Sequence, residues 1–182
     1  MTQIYGIAGL PLSGKTTVAD KMDEEGYRKI DMGDVVREEM DNRDIPAEET
    51  GEFVSDLRDE NGMTAIAELT LPYVEEAVEE HDRIVISGMR GWNEKECFEN
   101  NLDTELEIIA VWASRNERKK REEARAREED KVAEIADRDE REIRHGAAKL
   151  VSLADYMIVN ENLSLKEFEE KIEDNLQELR TE

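Results

Sequence analysis

Residues Gly9-Leu10-Pro11-Leu12-Ser13-Gly14-Lys15-Thr16, followed by Thr17, form a complete G-x-x-x-x-G-K-[ST] run, whose residue types suit the binding of a polyphosphate. Gly9 and Gly14 let the backbone curl until its N–H groups point inward. Lys15 brings a cation to the outer phosphates, and the Thr16 hydroxyl is a ligand for Mg²⁺. An apolar run, Ile4-Tyr5-Gly6-Ile7-Ala8, precedes the loop and a helical pattern follows it. The loop therefore leaves a buried strand and meets the positive end of a helix dipole, a setting that a chance match lacks. The expected ligand is a nucleoside triphosphate with Mg²⁺. No N-K-x-D guanine signature occurs, so ATP is favoured over GTP.

Three more groups of residues have the types to handle phosphate. Met32-Gly33-Asp34-Val35-Val36-Arg37 follows a short strand pattern that ends at Asp31. Either Asp34 serves the helix dipole and Arg37 is solvated, or the guanidinium fork of Arg37 engages phosphate oxygens. Ser87-Gly88-Met89-Arg90-Gly91 follows Ile84-Val85-Ile86 in the same way. Arg58 is the only basic residue between Asp44 and Glu80, and it either pairs with a nearby Glu or reaches a ligand. The third group is the segment 115–144, with 11 basic and 11 acidic residues, so all of the chain's net charge lies outside it. Within it Arg118, Arg121 and Arg125 fall at i, i+3, i+7 on one helical face. A charged helix pair laced with i, i+4 contacts and a set of inward-turned arginines are both compatible with this pattern.

Apolar runs predict strands at 3–8, 27–31, 83–87, 106–113 and 156–159. Helical periodicity fills the intervals: 16–25, 32–42, two helices within 46–80 parted near Asn61-Gly62, and a long helical region over 115–151. Ser164-Leu165-Lys166-Glu167 is a capping box opening a last helix, with Leu165, Phe168, Ile172, Leu176 and Leu179 on one face. Strands alternating with helices imply a parallel sheet covered on both faces, with ligands at the carboxyl ends of its strands. The candidate groups all sit at such ends.

The 182 residues suit one domain, with 48 acidic against 25 basic residues and a net charge of −23. Such self-repulsion becomes tolerable in molar salt, where the Debye length is roughly 3 Å, and the acidity is read as halophilic. Apolar periodicity along the whole chain argues against disorder. Cys97 is the single cysteine, so no internal disulfide or Cys-rich zinc site is expected. No membrane-spanning or signal-peptide pattern occurs, and a cytoplasmic protein is expected. Nucleic acid is disfavoured as a partner, because the Arg-rich segment is neutral and the rest acidic. His81 and His145 are expected at the surface without a catalytic part, and Trp112 in the core.

Taken in order, these motifs resemble the P-loop nucleotide kinases, that is nucleoside monophosphate kinases and dephospho-CoA kinases, and most closely the archaeal dephospho-CoA-kinase-like proteins. The resemblance implies a three-layer α/β/α fold with a five-stranded parallel sheet in the order 2-3-1-4-5. It also implies an acceptor-binding helical region at about 32–80 and a helical lid at about 115–145. It implies that residues 9–17 and Asn160 hold ATP, that Thr16 holds Mg²⁺, and that Asp31, Arg37, Arg58 and Arg90 hold a nucleotide-like acceptor. Asn160 enters through Ala154-Asp155-Tyr156-Met157-Ile158-Val159-Asn160, which is similar to the A-D-x-x-I-x-N stretch before the last helix of dephospho-CoA kinases. The catalytic set is then Lys15, Asp34 and the lid residues Arg118, Arg125 and Arg127, in the stretch that runs on to Arg138. Ser87 stands where related proteins often carry an acidic residue, which leaves Asp31 and Asp34 as the available carboxylates. The implied activity is transfer of the γ-phosphoryl of ATP to dephospho-CoA or a nucleoside monophosphate. An ATP-binding switch or assembly factor with slow hydrolysis is the alternative.

Overall fold

The computed structural model describes residues 2–126 and 135–179. Five strands, β1 (Gln3–Ala8), β2 (Arg28–Asp31), β3 (Arg83–Ser87), β4 (Leu106–Trp112) and β5 (Tyr156–Val159), form one sheet in the order β2-β3-β1-β4-β5. Every neighbouring pair is parallel. This is the expected P-loop kinase-like topology. Because β1 lies between β3 and β4 while the chain passes first to β2, the sheet order reverses beside the loop that leaves β1.

Alternate residues of β1 serve different faces. Ile4 and Ala8 join a core with α2 (Met32–Asn42), α3 (Thr50–Asn61), α4 (Ala65–Glu80) and α5 (Trp92–Leu102). Tyr5 and Ile7 join a second core with Val18, Ala19 and Met22 of α1 (Lys15–Glu24), and with Phe168, Ile172, Leu176 and Leu179 of α9 (Leu165–Leu179). Continuous apolar strands result from burial on both faces. The capping box forms as expected: Glu167 N–H donates to Ser164 Oγ, and Ser164 N–H to Glu167 Oε2.

The long helical region expected over 115–151 contains α6 (Arg115–Ala126), α7 (Ile135–Arg144) and α8 (Ala147–Ser152). Arg127 lies outside the described residues, and so does the Arg125 side chain. Three expectations about side chains are corrected. Trp112 is 41% exposed. Its neighbour Val111 takes the α1/α9 face, and the short α8 leaves the opposite face at this strand end partly open. Leu165, the first residue of α9, is exposed while the rest of its face is buried. His145 is half-buried at the end of α7.

Candidate active site

Loop 9–16 is held from below. Arg121 on α6 donates from Nη1 to the Leu12 and Ser13 carbonyls at 3.0 and 3.3 Å, and from Nη2 to Asn160 Oδ1 at 3.0 Å. Asn160, buried just after β5, returns a bond from Nδ2 to the Ser13 carbonyl at 2.9 Å. Arg118, one turn earlier on α6, donates to the Pro11 carbonyl at 3.2 Å. In a trans peptide the N–H lies opposite the C=O, so anchoring these carbonyls turns the amides of Leu12 and Gly14 to the other side. Gly14 has φ +108°, and a Cβ there would meet Asn160 Nδ2 at 2.6 Å, so only glycine fits.

Lys15 Nζ donates to the Gly9 and Leu10 carbonyls at 2.8 and 3.0 Å, closing the loop on itself. Burial pulls its pKa down to about 8. Glu142 on α7 offsets part of this, while the Arg90, Arg138 and Arg118 charges add to it. A cleft of about 460 Å³ opens beside the loop, lined by Lys15, Thr16, Arg121 and Arg138 and by the apolar Leu163, Leu165 and Phe168. The charged side chains suit phosphates and the apolar ones a flat base.

Arg118 is 3% exposed and gives both Nη atoms to Asp139 of α7, at 2.6 and 2.8 Å. Its Nε donates to the Ala113 carbonyl. With these donors engaged, Arg118 ties α6, α7 and the phosphate loop together instead of reaching for a phosphoryl group. Arg138, the residue before Asp139 on α7, lines the cleft.

At the β2 edge of the sheet, Asp31 ends its strand and caps α2. Its Oδ1 accepts from the Gly33 and Asp34 amides at 2.9 and 3.1 Å. Its Oδ2 accepts from Ser87 Oγ at 2.5 Å. Strand pairing sets Asp31 beside Ser87. Ser87 is therefore not a missing carboxylate but the hydroxyl that orients one. Arg37 pairs with Asp34 on the surface, and its Nη2 lies 3.9 Å from Asp31. Arg90 donates from Nη1 to Glu142 Oε1 at 2.5 Å. Arg58 is buried against Glu94 and His145. Burial pushes the Glu94 carboxyl up, against the Arg90 and Gly91 N–H groups and the Arg58 charge that favour the carboxylate. Trp92, which opens α5, carries Lys95 and Lys149 over its ring at 5.3 and 4.9 Å.

Sequence reasoning missed Ser87 as a partner of Asp31, and it missed Asp139, Glu142 and Glu94. These meet their arginines only through tertiary folding. Among the described residues no group of His, Cys, Asp and Glu is arranged to hold a metal by itself. No described helix is long and apolar enough to cross a membrane.

A family model described as an AAA domain matches residues 6–145. The UPF0200 protein of Pyrobaculum aerophilum is 39% identical over 182 residues, spanning 99% of this chain and 100% of that protein. The chain belongs to the UPF0200 family. A UPF0200 protein of Thermococcus sibiricus is 37% identical over 175 residues, covering 93% and 92% of the two chains. Among solved structures, TT1252 from Thermus thermophilus matches at 18% identity with a TM-score of 0.66, covering 98% of each chain. A dephospho-CoA kinase from Campylobacter jejuni matches at 16% identity and 0.64, again over 98% of each chain. A shikimate kinase from Bacteroides thetaiotaomicron matches at 18% and 0.59, covering 100% of this chain and 99% of the other. At these identities the likeness is one of fold: this UPF0200 chain has a P-loop kinase-like fold.

Proposed function

We propose that this protein is an ATP-dependent phosphotransferase that uses Mg²⁺ and acts on a nucleotide-like acceptor, dephospho-CoA or a nucleoside monophosphate. The observation that carries this reading is the phosphate loop with Lys15 held at its carbonyls, opening on a cleft that Arg121 and Arg138 also line. An oriented carboxylate, Asp31, stands at the end of the sheet beside it. A nucleotide site alone needs the loop and the apolar cleft. Acceptor chemistry needs charge and a positioned carboxylate beyond them.

The residues divide the work by position. The loop amides and Lys15 hold the outer phosphates, and Leu163 and Leu165 flank the base. Asn160 and Arg121 keep the loop rigid. Arg138 reaches the migrating group from α7, a part the sequence assigns to Arg118, Arg125 and Arg127. Asp31, fixed by Ser87 and the α2 amides, orients the acceptor, while Asp34 stays with Arg37 at the rim. Arg37 and Arg90 hold the acceptor's anionic end. Thr16, exposed at the start of α1, fits a hard cation as a hydroxyl ligand, and Mg²⁺ bound there supplies charge neutralisation.

The test is a screen of dephospho-CoA and the nucleoside monophosphates with ATP and Mg²⁺ in high KCl, read as phosphorylated product. The expected result is ADP formation that depends on one acceptor class. Equal ADP release with and without every acceptor would make the protein an ATP hydrolase or switch.

A further inference from the structure

α7 is seated by charge pairs more than by apolar packing. Of its 10 residues, Ile135 is the one buried apolar side chain. Four and seven positions on, the same face carries Asp139 and Glu142. Asp139 takes both Nη atoms of Arg118 on α6, and Glu142 takes Nη1 of Arg90 in the β3–α5 turn. The first pair is the enclosed one, with both partners buried.

A buried ion pair often adds no stability over apolar side chains of the same shape, because both charges lose their water. What this one adds is geometry. Two parallel N–H···O bonds hold the Asp139 carboxylate against the edge of the guanidinium. Arg118 is itself fixed by the Ala113 carbonyl after β4, at 3.3 Å, and by the Pro11 carbonyl of the phosphate loop, at 3.2 Å. Asp139 therefore has a set place relative to the loop. Consecutive residues of an α-helix project about 100° apart, so locking one directs the next. The residue before Asp139 is Arg138, which lines the cleft with Lys15 and Thr16.

We propose that Asp139, acting through Arg118, is the positioning residue that holds Arg138 at the terminal phosphate of the bound nucleotide. Neither Arg118 nor Asp139 is among the described residues that line the cleft, so the pair works from behind it. This rests on the place of Arg138 in the phosphotransferase reading and adds to it what sets that place, a register between α7 and a carbonyl of the phosphate loop. Because one guanidinium holds both, a shift of the loop as it fills is passed to α7.

Calorimetry on the full chain in high KCl compares Mg·AMP-PNP with Mg·ADP, which lacks the terminal phosphate. Arg138→Ala is expected to weaken AMP-PNP about tenfold, the loss of one charge-assisted hydrogen bond, and ADP by less than about twofold. Asp139→Asn keeps the shape of the side chain and removes its charge. It is expected to lose about fivefold of the same discrimination, whatever it does to both affinities in common. A merely structural Asp139 would lower the two affinities alike. Arg138→Ala and Asp139→Asn together are expected to lose no more discrimination than Arg138→Ala alone, since Asp139 acts through Arg138. An AMP-PNP to ADP ratio unchanged from the native one in either single variant overturns the proposal, as do losses that multiply in the double variant. If Asp139→Asn does not fold by circular dichroism, because Arg118 is left buried without its partner, Arg118→Lys is the second variant. It keeps the charge, gives up the fork and is expected to lose about threefold of the discrimination; an unchanged ratio there also overturns the proposal. The phosphotransferase reading fails separately, on the acceptor screen, because an ATP hydrolase would use Arg138 at the same phosphate.

Discussion

Lys15 is charged only conditionally. Burial lowers its pKa to about 8 in the free protein, and a bound polyphosphate favours the ammonium form. The folded pKa lies below that of an exposed lysine, so the free protein binds fewer protons at pH 8–10 than its unfolded chain does. Stability from this group therefore rises with pH through that window. Nucleotide affinity has the opposite sign: it is full below pH 8 and falls as pH rises through it. Calorimetry of Mg·AMP-PNP binding at pH 8.5, in buffers of differing ionisation enthalpy, is expected to show uptake of up to one proton, and near none at pH 6.5. Lys15→Ala should remove both the uptake and most of the binding while leaving the circular dichroism unchanged. Ser87 gives a second prediction at this scale. Ser87→Ala removes the bond to Asp31 and is expected to cost about 1–2 kcal/mol of stability. Acceptor-dependent turnover should fall with ATP affinity unchanged. Ser87→Asp sets two carboxylates against each other in a buried place and should destabilise the protein more than alanine, read as a lower midpoint in urea. The phosphate loop is legible in the sequence because its eight residues are contiguous and each has its own task. Pairs such as Ser87 with Asp31, Arg118 with Asp139 and Arg90 with Glu142 are not, because nothing in a linear pattern says which carboxylate a given cation meets.

Among the elements, strands are easier to read than side-chain fates. β1, β3 and β5 lie where apolar runs place them, since burial on both faces leaves uninterrupted hydrophobic segments. The Arg-rich region is harder, because helical charge patterns carry no mark of which face turns inward. One junction ties the β3–α5 turn to α7 and α8. A Cβ on Gly91 would meet the His145 carbonyl at 2.8 Å, and one on Gly146 would stand 3.3 Å from Gly91 Cα. Two backbones touch there because neither has a side chain. Gly91→Ala is expected to push α7 away from the β3–α5 turn, cost about 1–3 kcal/mol, and lower acceptor-dependent turnover more than nucleotide binding. Turnover and urea midpoint both equal to the native protein's would show that the junction yields freely.

Across the whole molecule, charge outweighs every other surface property. All of the net −23 lies outside the segment 115–144, on a body whose two cores must hold against its own repulsion. Many of its surface pairs, such as Lys166 with Glu170, join neighbours on one helix and offset little of it. Lowering KCl from molar to millimolar is therefore expected to lower the melting temperature steadily, with Mg·ATP restoring part of the loss through native-state binding. Circular dichroism melts across the series read both effects, and equal melting in dilute buffer and molar salt would remove the halophilic reading of the composition.

The stacking of Trp92 between Lys95 and Lys149 gives the molecule its own optical gauge. An ammonium group over the indole face quenches emission, and Lys149 rides on α8, just beyond α7. With Trp112→Phe silencing the other indole, the remaining fluorescence reports one distance, that between the turn after β3 and α8. Brightening on addition of a phosphate-bearing acceptor, and not of nucleotide alone, is the expected trace, and a stopped-flow record of it would time the parting of the two in the native protein without any added label.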